Sequence, residues 1–231
     1  MSLSSQDRPT NPSKFFLKVK SGAVNYYDKE QSENIDVPVP FEFIVLDQLG
    51  TIKGWSDADQ SGYWSNEVKS SGNDPFTVRT KNGVKATGLW KEIKAESAVA
   101  GAKFNASVYI AHKSGDGLVI SNIAFSGASL NAWIEFIQAN KGVMKGKNKV
   151  VLSGFSDAKK GSVSYKVPAF DTSDVTDEEV EIATELDKEL QAYLAQYFNY
   201  KQAEDLAPAA PKDVVIEDID DQPIDLNDIP F

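Results

Sequence analysis

Alternation of apolar and polar side chains dominates the first three quarters of the chain. Between Lys14 and Lys20, the apolar positions Phe15, Leu17 and Val19 alternate with a basic, partly aromatic face, which predicts a half-buried strand. A nearly continuous apolar run at 41–46 predicts a buried strand. The same reasoning predicts strands at 24–28, 51–55, 76–80, 84–89, 150–155 and 163–167, and a hairpin over 103–125.

Three segments change to a helical period. A short helix is predicted over 90–98, and a second one over 130–139, with Ser129 as its cap. The third begins at a capping box, Thr176 with Glu179, and runs to about Ala203. Its apolar positions recur every three or four residues: Ala183, Leu186, Leu190, Tyr193 and Tyr197. This stripe must cover either the strand-rich body or a second copy of the helix, so a homodimer is one expectation.

Many short strands, glycine-rich turns and one interposed helix predict a mainly β protein of the α+β class. An oligonucleotide-binding (OB) Greek-key barrel is the natural candidate fold. We expect four parts: a flexible arm at 1–13, the barrel at 14–173, the C-terminal helix at 174–205, and a Pro/Ala linker with an acidic tail at 206–231.

Charge divides the chain unevenly. The whole protein has a net charge of −10, but residues 1–173 carry 21 Lys and Arg against 17 Asp and Glu. Residues 174–231 carry 3 against 17. A mildly basic body joined to an acidic end points to nucleic acid as a partner of the body. The acidic end is then expected to compete with nucleic acid for the same basic surface.

Composition excludes several kinds of chemistry. With no cysteine there is no disulfide, no thiolate nucleophile and no Cys-bound zinc.

No apolar run approaches the length of a membrane span, and the polar N-terminus lacks a signal-peptide pattern. We therefore expect a cytoplasmic protein without membrane contact.

Aromatic rings interleaved with lysines are the side chains that single-strand binders use, because rings stack on bases and cations contact phosphates. The polar loop after residue 55 is unusually rich in such rings. The residues predicted to contact single-stranded DNA are Trp55, Tyr63, Trp64, Arg79, Lys81, Lys85, Trp90, Tyr109, Lys113, Lys145 and Lys147.

The same loop resembles half of an EF-hand. Asp57, Asp59 and Ser61 match the first ligand positions, but the twelfth position is Val68, and Glu67 comes one residue early. His112 is the only histidine and lacks a Gly-x-Ser-x-Gly partner motif. No phosphate-binding Gly-Lys-Ser/Thr motif occurs either. We expect no metal, no cofactor and no enzymatic activity; a carboxylate-based, metal-dependent nuclease remains the alternative.

The chain ends in a segment of its own character. Residues 213–231 carry seven carboxylates and no Lys or Arg, and they finish on Asp228, Ile229, Pro230 and Phe231. Such a segment buries too little apolar surface to fold alone, so we expect disorder in the free protein. An apolar tip on an acidic tether suits a pocket with a basic rim on another protein. Asp225, Asp228 and the last three residues are the predicted protein-interaction tail.

The Asp-Ile-Pro-Phe ending resembles the tip of bacterial and phage single-stranded DNA-binding proteins (SSBs). Residues 40–47 and 62–67 resemble phage-encoded members with a larger OB fold and an appended helix. The chain lacks the long Gln/Gly-rich linker of bacterial SSBs, which puts a tetrameric wrapping mode in doubt. The resemblance implies a protein of phage DNA replication, recombination or repair that protects single strands and recruits replication proteins. The alternative is an adaptor that docks through its tail without binding DNA.

Overall fold

The computed structural model describes residues 9–206, which form a mainly β structure of the α+β class. The strands are β1 (Phe15–Lys20), β2 (Ala23–Asp28), β3 (Glu33–Val37), β4 (Phe41–Ser56), β5 (Ser61–Trp64), β6 (Phe76–Thr80), β7 (Gly83–Gly88), β8 (Ala102–Ser114), β9 (Gly117–Ser126), β10 (Lys149–Lys160) and β11 (Val163–Ser173). The helices are α1 (Trp90–Ile93), α2 (Ala128–Ala139) and α3 (Asp177–Leu206), with short 3₁₀ turns at Ser97–Val99 and Val143–Lys145.

One sheet connects all eleven strands. Nine of them follow the order β3-β2-β1-β9-β8-β4-β5-β6-β7, while β10 pairs with the beginning of β4 and with β11. Neighbouring strands are antiparallel except β1 and β9, which run parallel with Phe15 beside Ser121. β9 and β11 are not paired, so strand pairing does not close the sheet into a barrel.

The inner face of this sheet forms the main core. Alternate residues of β4, β8 and β9, such as Phe43, Val108 and Phe125, are buried there with Trp133 of α2. The Trp133 ring stacks on Phe125 at a centroid distance of 4.9 Å, and its Nε1 donates a 2.7 Å hydrogen bond to Gln48. Trp133 and Phe136 also contact the Phe170 ring of β11, so the helix packs against β9 and β11.

A second core lies under the far end of β4. Ile52, Phe76, Val78 and Ile93 are buried together there, with Phe104 packed against them. Because β4 has 16 residues, one strand contributes to both cores and holds them in fixed register.

Helix α3 lies on the opposite, outer face of the sheet. Leu190 and Leu194 are buried against Leu49, Tyr109 and Ile120, so the predicted apolar stripe packs on the sheet of the same chain. The predicted capping box is confirmed: the Thr176 amide donates to Glu179 (2.9 Å), and the Glu179 amide donates to the Thr176 hydroxyl (3.2 Å).

Several predicted boundaries were wrong. The strand predicted at 51–55 is the end of β4, and the helix predicted at 90–98 has only four residues before a 3₁₀ turn. Ser129 does not cap α2, because Gly127 occupies the cap position and the Ser129 hydroxyl bonds back to Ser126. No strand was predicted over Glu33–Val37, where the structure has β3.

The predicted N-terminal arm lies only partly within the described residues. Of the predicted arm, residues 9–13 lie against the sheet, where the Asn11 side chain donates to the Tyr109 hydroxyl (3.2 Å). Residues 1–8 and the predicted linker and tail, from residue 207 on, lie outside the described part of the chain. None of the helices within residues 9–206 has the length and hydropathy needed to cross a membrane.

Candidate nucleic-acid interface

Strand register places a row of basic and aromatic residues across five strands. Residues directly opposite each other in antiparallel strands share a face of the sheet. Lys53 of β4 lies opposite Lys103 of β8 on one side and Trp64 of β5 on the other. Trp64 in turn lies opposite Arg79 of β6, and Arg79 lies opposite Val84 of β7. We call Lys103, Lys53, Trp64, Arg79 and Val84 the outer row.

Trp55 lies two residues beyond Lys53 and therefore points to the same face. Its side chain is 54% exposed and that of Trp64 is 46% exposed, although tryptophan is usually mostly buried. Two exposed indole rings thus lie beside three cations, and these are the kinds of side chain that bases can stack on and phosphates can contact.

A close backbone approach fixes the end of β4 that carries Trp55. A Cβ on Gly54 would lie 2.3 Å from the carbonyl oxygen of Gly101, and a Cβ on Gly101 would lie 2.5 Å from that of Trp55. Gly101 also has a φ of +91°, a conformation that favours glycine. Only glycines at these two positions let β4 and the start of β8 come this close.

A buried polar cluster separates the outer row from the region under α3. The Glu67 carboxylate accepts hydrogen bonds from the hydroxyls of Ser107 and Tyr109, the latter at 2.7 Å. Its backbone amide donates to the Tyr197 hydroxyl of α3 at 2.8 Å. Burial raises the pKa of Tyr109, and the negative charge of Glu67 raises it further, so this phenol stays a hydrogen-bond donor.

Lys53 is the most electrostatically unusual member of the outer row. Its side chain reaches solvent, yet partial desolvation lowers its pKa from the ordinary lysine value. Glu67 opposes this decrease, and the positive charge of Lys18 on β1 adds to it. A phosphate placed between these two lysines would relieve their repulsion.

A groove of about 600 Å³ extends from the Lys103 end of the row. It runs between the β1–β2 turn and the β10–β11 hairpin, and we call it the hairpin groove. Lys20, Lys103 and Lys166 line it with the rings of Phe155 and Tyr165. The ammonium of Lys166 lies 2.8 Å from the Asp157 carboxylate, which partly neutralises that side.

Of the residues predicted from sequence, Trp55, Trp64 and Arg79 come together on the outer face. Three predicted rings do not, because they belong to the cores. Tyr109 is fully buried and Tyr63 is 6% exposed, with its hydroxyl donating to the Ala98 carbonyl at 3.0 Å. Trp90 packs against the second core. We correct the prediction for Tyr63 and Tyr109, since a base could stack on them only if a core opened. Trp90 is partly exposed, so its contact with DNA stays a prediction.

Lys81 and Lys85 have roles within the β6–β7 hairpin. The Lys85 ammonium lies 2.7 Å from the Asp59 carboxylate, which also accepts hydrogen bonds from Thr80 and Asn82. These contacts, Lys85 first, hold the pKa of Asp59 at about 2. Lys81 donates to the Gln60 carbonyl at 3.4 Å. Asp59 of the EF-hand-like loop thus stabilises a hairpin.

The remaining predicted lysines lie at the opposite end of the molecule. Lys113 is ten residues along β8 from Lys103, which is about 33 Å in an extended strand. Lys145 lies beside the beginning of β4 and the first turns of α3, near Ile44 and Val180, and Lys147 follows it by two residues. The structure therefore does not bring these three lysines together with the two exposed tryptophans.

Sequence reasoning missed Lys53 and Lys103. The signal for Lys53 was present, since period-two alternation places it on the face of Trp55. Lys103 could be found only from the pairing of β4 with β8, which joins residues about fifty positions apart.

His112 has a structural environment. It is 7% exposed, its Nδ1 lies 3.1 Å from the Lys113 carbonyl, and its Nε2 lies 2.9 Å from the Ser121 hydroxyl. Since a carbonyl can only accept, Nδ1 carries the proton and Nε2 accepts from Ser121. In the part of the chain that the structure describes, no three His, Asp or Glu side chains converge as a metal site would require.

Compared with known proteins, the chain matches no family model, no curated protein and no solved structure.

Proposed function

We propose that the protein binds single-stranded DNA, without sequence preference, across the outer row and the hairpin groove. The observation that carries this proposal is the register of Lys53, Trp64 and Arg79 on one open face of the sheet. Cations contact phosphates of any sequence, and every base has a face that can stack on an indole ring. Neither contact reads base edges, so the expected binding is nonspecific.

We further propose that five strands form an OB-type arrangement. In this assignment β4, β8, β9, β10 and β11 are its first to fifth strands, and α2 is the helix between the third and the fourth. The pairing of β4 with both β8 and β10, and of β10 with β11, supports it. The parallel partner of β9 is β1 instead of β11. OB folds bind oligonucleotides on the face of strands two and three and beside the loop between strands four and five. In this assignment the first region corresponds to the Lys103 end of β8, and the second corresponds to the hairpin groove.

The test is titration of fluorescently labelled oligo-dT with the full chain at several salt concentrations. For single strands, log K should fall with log[salt] with a slope of about −0.7 per phosphate contacted. Lys53→Gln and Lys103→Gln should each reduce that slope by about 0.7. Lys145→Gln is the matched control, because Lys145 is an exposed lysine near Ile44 and Val180, in neither the outer row nor the hairpin groove. Absence of any complex at low salt would refute the proposal and favour the adaptor that does not bind DNA.

We also propose that the acidic tail recruits replication or repair proteins, in the setting of phage DNA replication in the host cytoplasm. The support is the sequence of its tip, Ile229-Pro230-Phe231 after Asp228. Phe231→Ala should abolish capture of such proteins, because burying a phenylalanine is worth about 1.5–3 kcal/mol. It should leave oligo-dT affinity unchanged, since it removes no charge.

Deleting residues 213–231 should tighten oligo-dT binding, because the acidic segment then no longer competes with DNA for the basic surface. The increase in affinity should be largest at low salt, where charge screening is weakest.

No catalytic role is part of this proposal. Incubating labelled single strands with the protein and Mg²⁺ would reveal a nuclease, and intact strands after prolonged incubation are the expected result.

A further inference from the structure

We infer that a bound single strand continues beyond the hairpin groove along β1 to a second stacking site on β1 and β2, built around Phe16 and Tyr27. This inference rests on the proposed function and extends it to residues that the sequence prediction did not include. The second site is a cleft of about 610 Å³, which we call the N-terminal cleft. The lining that the argument uses consists of Lys14, Phe16, Lys18, Tyr27 and Lys29.

The two rings of the cleft are exposed on the outer face of the sheet. Phe16 and Tyr27 are each 53% exposed, whereas their neighbours Leu17 and Tyr26 turn toward the main core. Leu17 pairs with Tyr26, so the register places Phe16 opposite Tyr27 on the outer face. Among residues 9–200, the other exposed aromatic side chains are Trp55 and Trp64 of the first site and, to a lesser degree, Tyr165 beside the hairpin groove.

Strand β1 connects the cleft with the groove. Phe16, Lys18 and Lys20 are alternate residues and therefore share the outer face of β1. The pairing of β1 with β9 and of β9 with β8 makes this the same face that carries Lys103. Lys20 itself lines the hairpin groove together with Lys103. A DNA strand that leaves the groove along β1 would thus meet Lys20 and Lys18 and then the rings of Phe16 and Tyr27.

Charge in the cleft favours a polyanion. Asp28 and Glu30 also line it, but the Asp28 carboxylate accepts hydrogen bonds from the backbone amides of Glu30 (2.8 Å) and Gln31 (3.1 Å) and so stabilises the turn after β2. The three lysines outnumber these two acids. On the outer face of β1 and β2, lysines thus lie next to exposed rings. The rings can stack on the bases of an extended DNA strand, and the lysines can contact its phosphates.

The dimensions allow a test that separates the two sites. From Lys103 to Arg79 the outer row crosses three strand spacings, about 14 Å, so an oligo-dT of about 5 nucleotides can fill it without reaching the cleft. An oligo-dT of about 20 nucleotides exceeds the 4–16 nucleotides that one OB fold covers and can occupy both sites.

The experiment compares both oligonucleotides with the full-length wild type, the double variant Phe16→Ala/Tyr27→Ala, and Trp64→Ala. Ile182→Ala, which truncates an exposed apolar residue of α3, is the control. The double variant should weaken binding of the long oligonucleotide by at least about fivefold and leave the short one unchanged. Trp64→Ala should weaken binding of both.

Other outcomes overturn the inference in distinguishable ways. If Trp64→Ala weakens both oligonucleotides and the double variant weakens neither, the strand does not reach the cleft, although the proposed function survives. The same conclusion follows if the double variant changes only the molecular mass in solution, because the rings then contact a second copy of the chain. If wild type binds neither oligonucleotide, the proposed function fails, and this inference fails with it. Equal melting temperatures of all variants exclude misfolding as the cause.

Discussion

Trp64 lies directly opposite Arg79 on the adjacent strands β5 and β6, with its indole ring half exposed on the outer face of the sheet. This pair places a stacking surface and a cation on one face at neighbouring positions. In the proposed complex the ring contacts a base while the guanidinium contacts a phosphate.

Trp64→Ala should therefore weaken oligo-dT binding, because loss of one stacking ring costs about 1–3 kcal/mol. Fluorescence anisotropy measures the change, and Trp64→Phe, which keeps a ring, should recover most of the affinity. Thermal unfolding should be nearly unchanged, since the ring is exposed. Equal affinity of Trp64→Ala and wild type would remove this residue from the interface.

Gly54→Ala tests the backbone approach beneath Trp55. The added Cβ would lie 2.3 Å from the Gly101 carbonyl oxygen, so the strands must separate there. We expect a stability loss of about 1–3 kcal/mol, typical of overpacking, and weaker oligo-dT binding because Trp55 shifts. Gly72→Ala is the matched control, since a Cβ at Gly72 meets no atom within 4 Å. Urea unfolding measures the first effect, and a variant as stable as Gly72→Ala would contradict the geometry.

Much of the fold could be predicted from the alternation of side chains. The buried strand at 41–46, the hairpin at 103–125 and the capping box at Thr176 follow from local pattern, and the structure has all three. Strand order could not be predicted in this way, because the parallel pairing of β1 with β9 joins residues about one hundred positions apart.

The candidate site shows the same limit. Alternation correctly places Tyr109 on the outer face of β8, but it does not reveal that α3 covers that part of the face. Tyr109 was therefore predicted to be accessible and is buried. Lys53 and Trp64 are eleven residues apart in sequence, and only the β4–β5 register makes them neighbours.

Leu190→Asp tests the packing of α3. Leu190 is fully buried against Leu49 and Tyr109, and an unpaired carboxylate there costs several kcal/mol. The variant should show a large decrease in the free energy of unfolding. Ala192→Asp, an exposed position two residues along the same helix, should change it little. Chemical denaturation compares the two, and equal stabilities would show that α3 does not pack as described.

Glu67→Gln tests the polar cluster between α3 and the outer row. The hydroxyls of Ser107 and Tyr109 each donate to one oxygen of the Glu67 carboxylate. The amide of glutamine has only one acceptor oxygen. One buried donor then lacks a partner, which costs about 1–3 kcal/mol. Glu135→Gln, on the exposed side of α2, is the control and should have little effect. Similar unfolding curves for the two variants would contradict the cluster.

His112 should make the stability of the protein depend on pH. Burial lowers the pKa of this imidazole, with the positive charge of Lys14 adding and the Lys113 carbonyl opposing. In the unfolded chain the ring has its ordinary pKa of about 6.5. As pH falls below that value the unfolded state binds a proton that the native state resists, so stability decreases with acidification from about pH 6.5 downward.

His112→Gln removes this titration. The free energy of unfolding of wild type minus that of the variant should fall as pH is lowered from about 7 to about 5, because carboxylates titrate alike in both proteins and cancel in the difference. Urea denaturation at a series of pH values within that range measures it. The difference should be constant above about pH 7, where the imidazole is neutral in both states. A difference that stays constant down to pH 5 would mean that the folded protein binds a proton at His112 as readily as the unfolded chain does. A difference that grows would mean that the folded protein binds it more readily. Either result would contradict the buried, neutral imidazole.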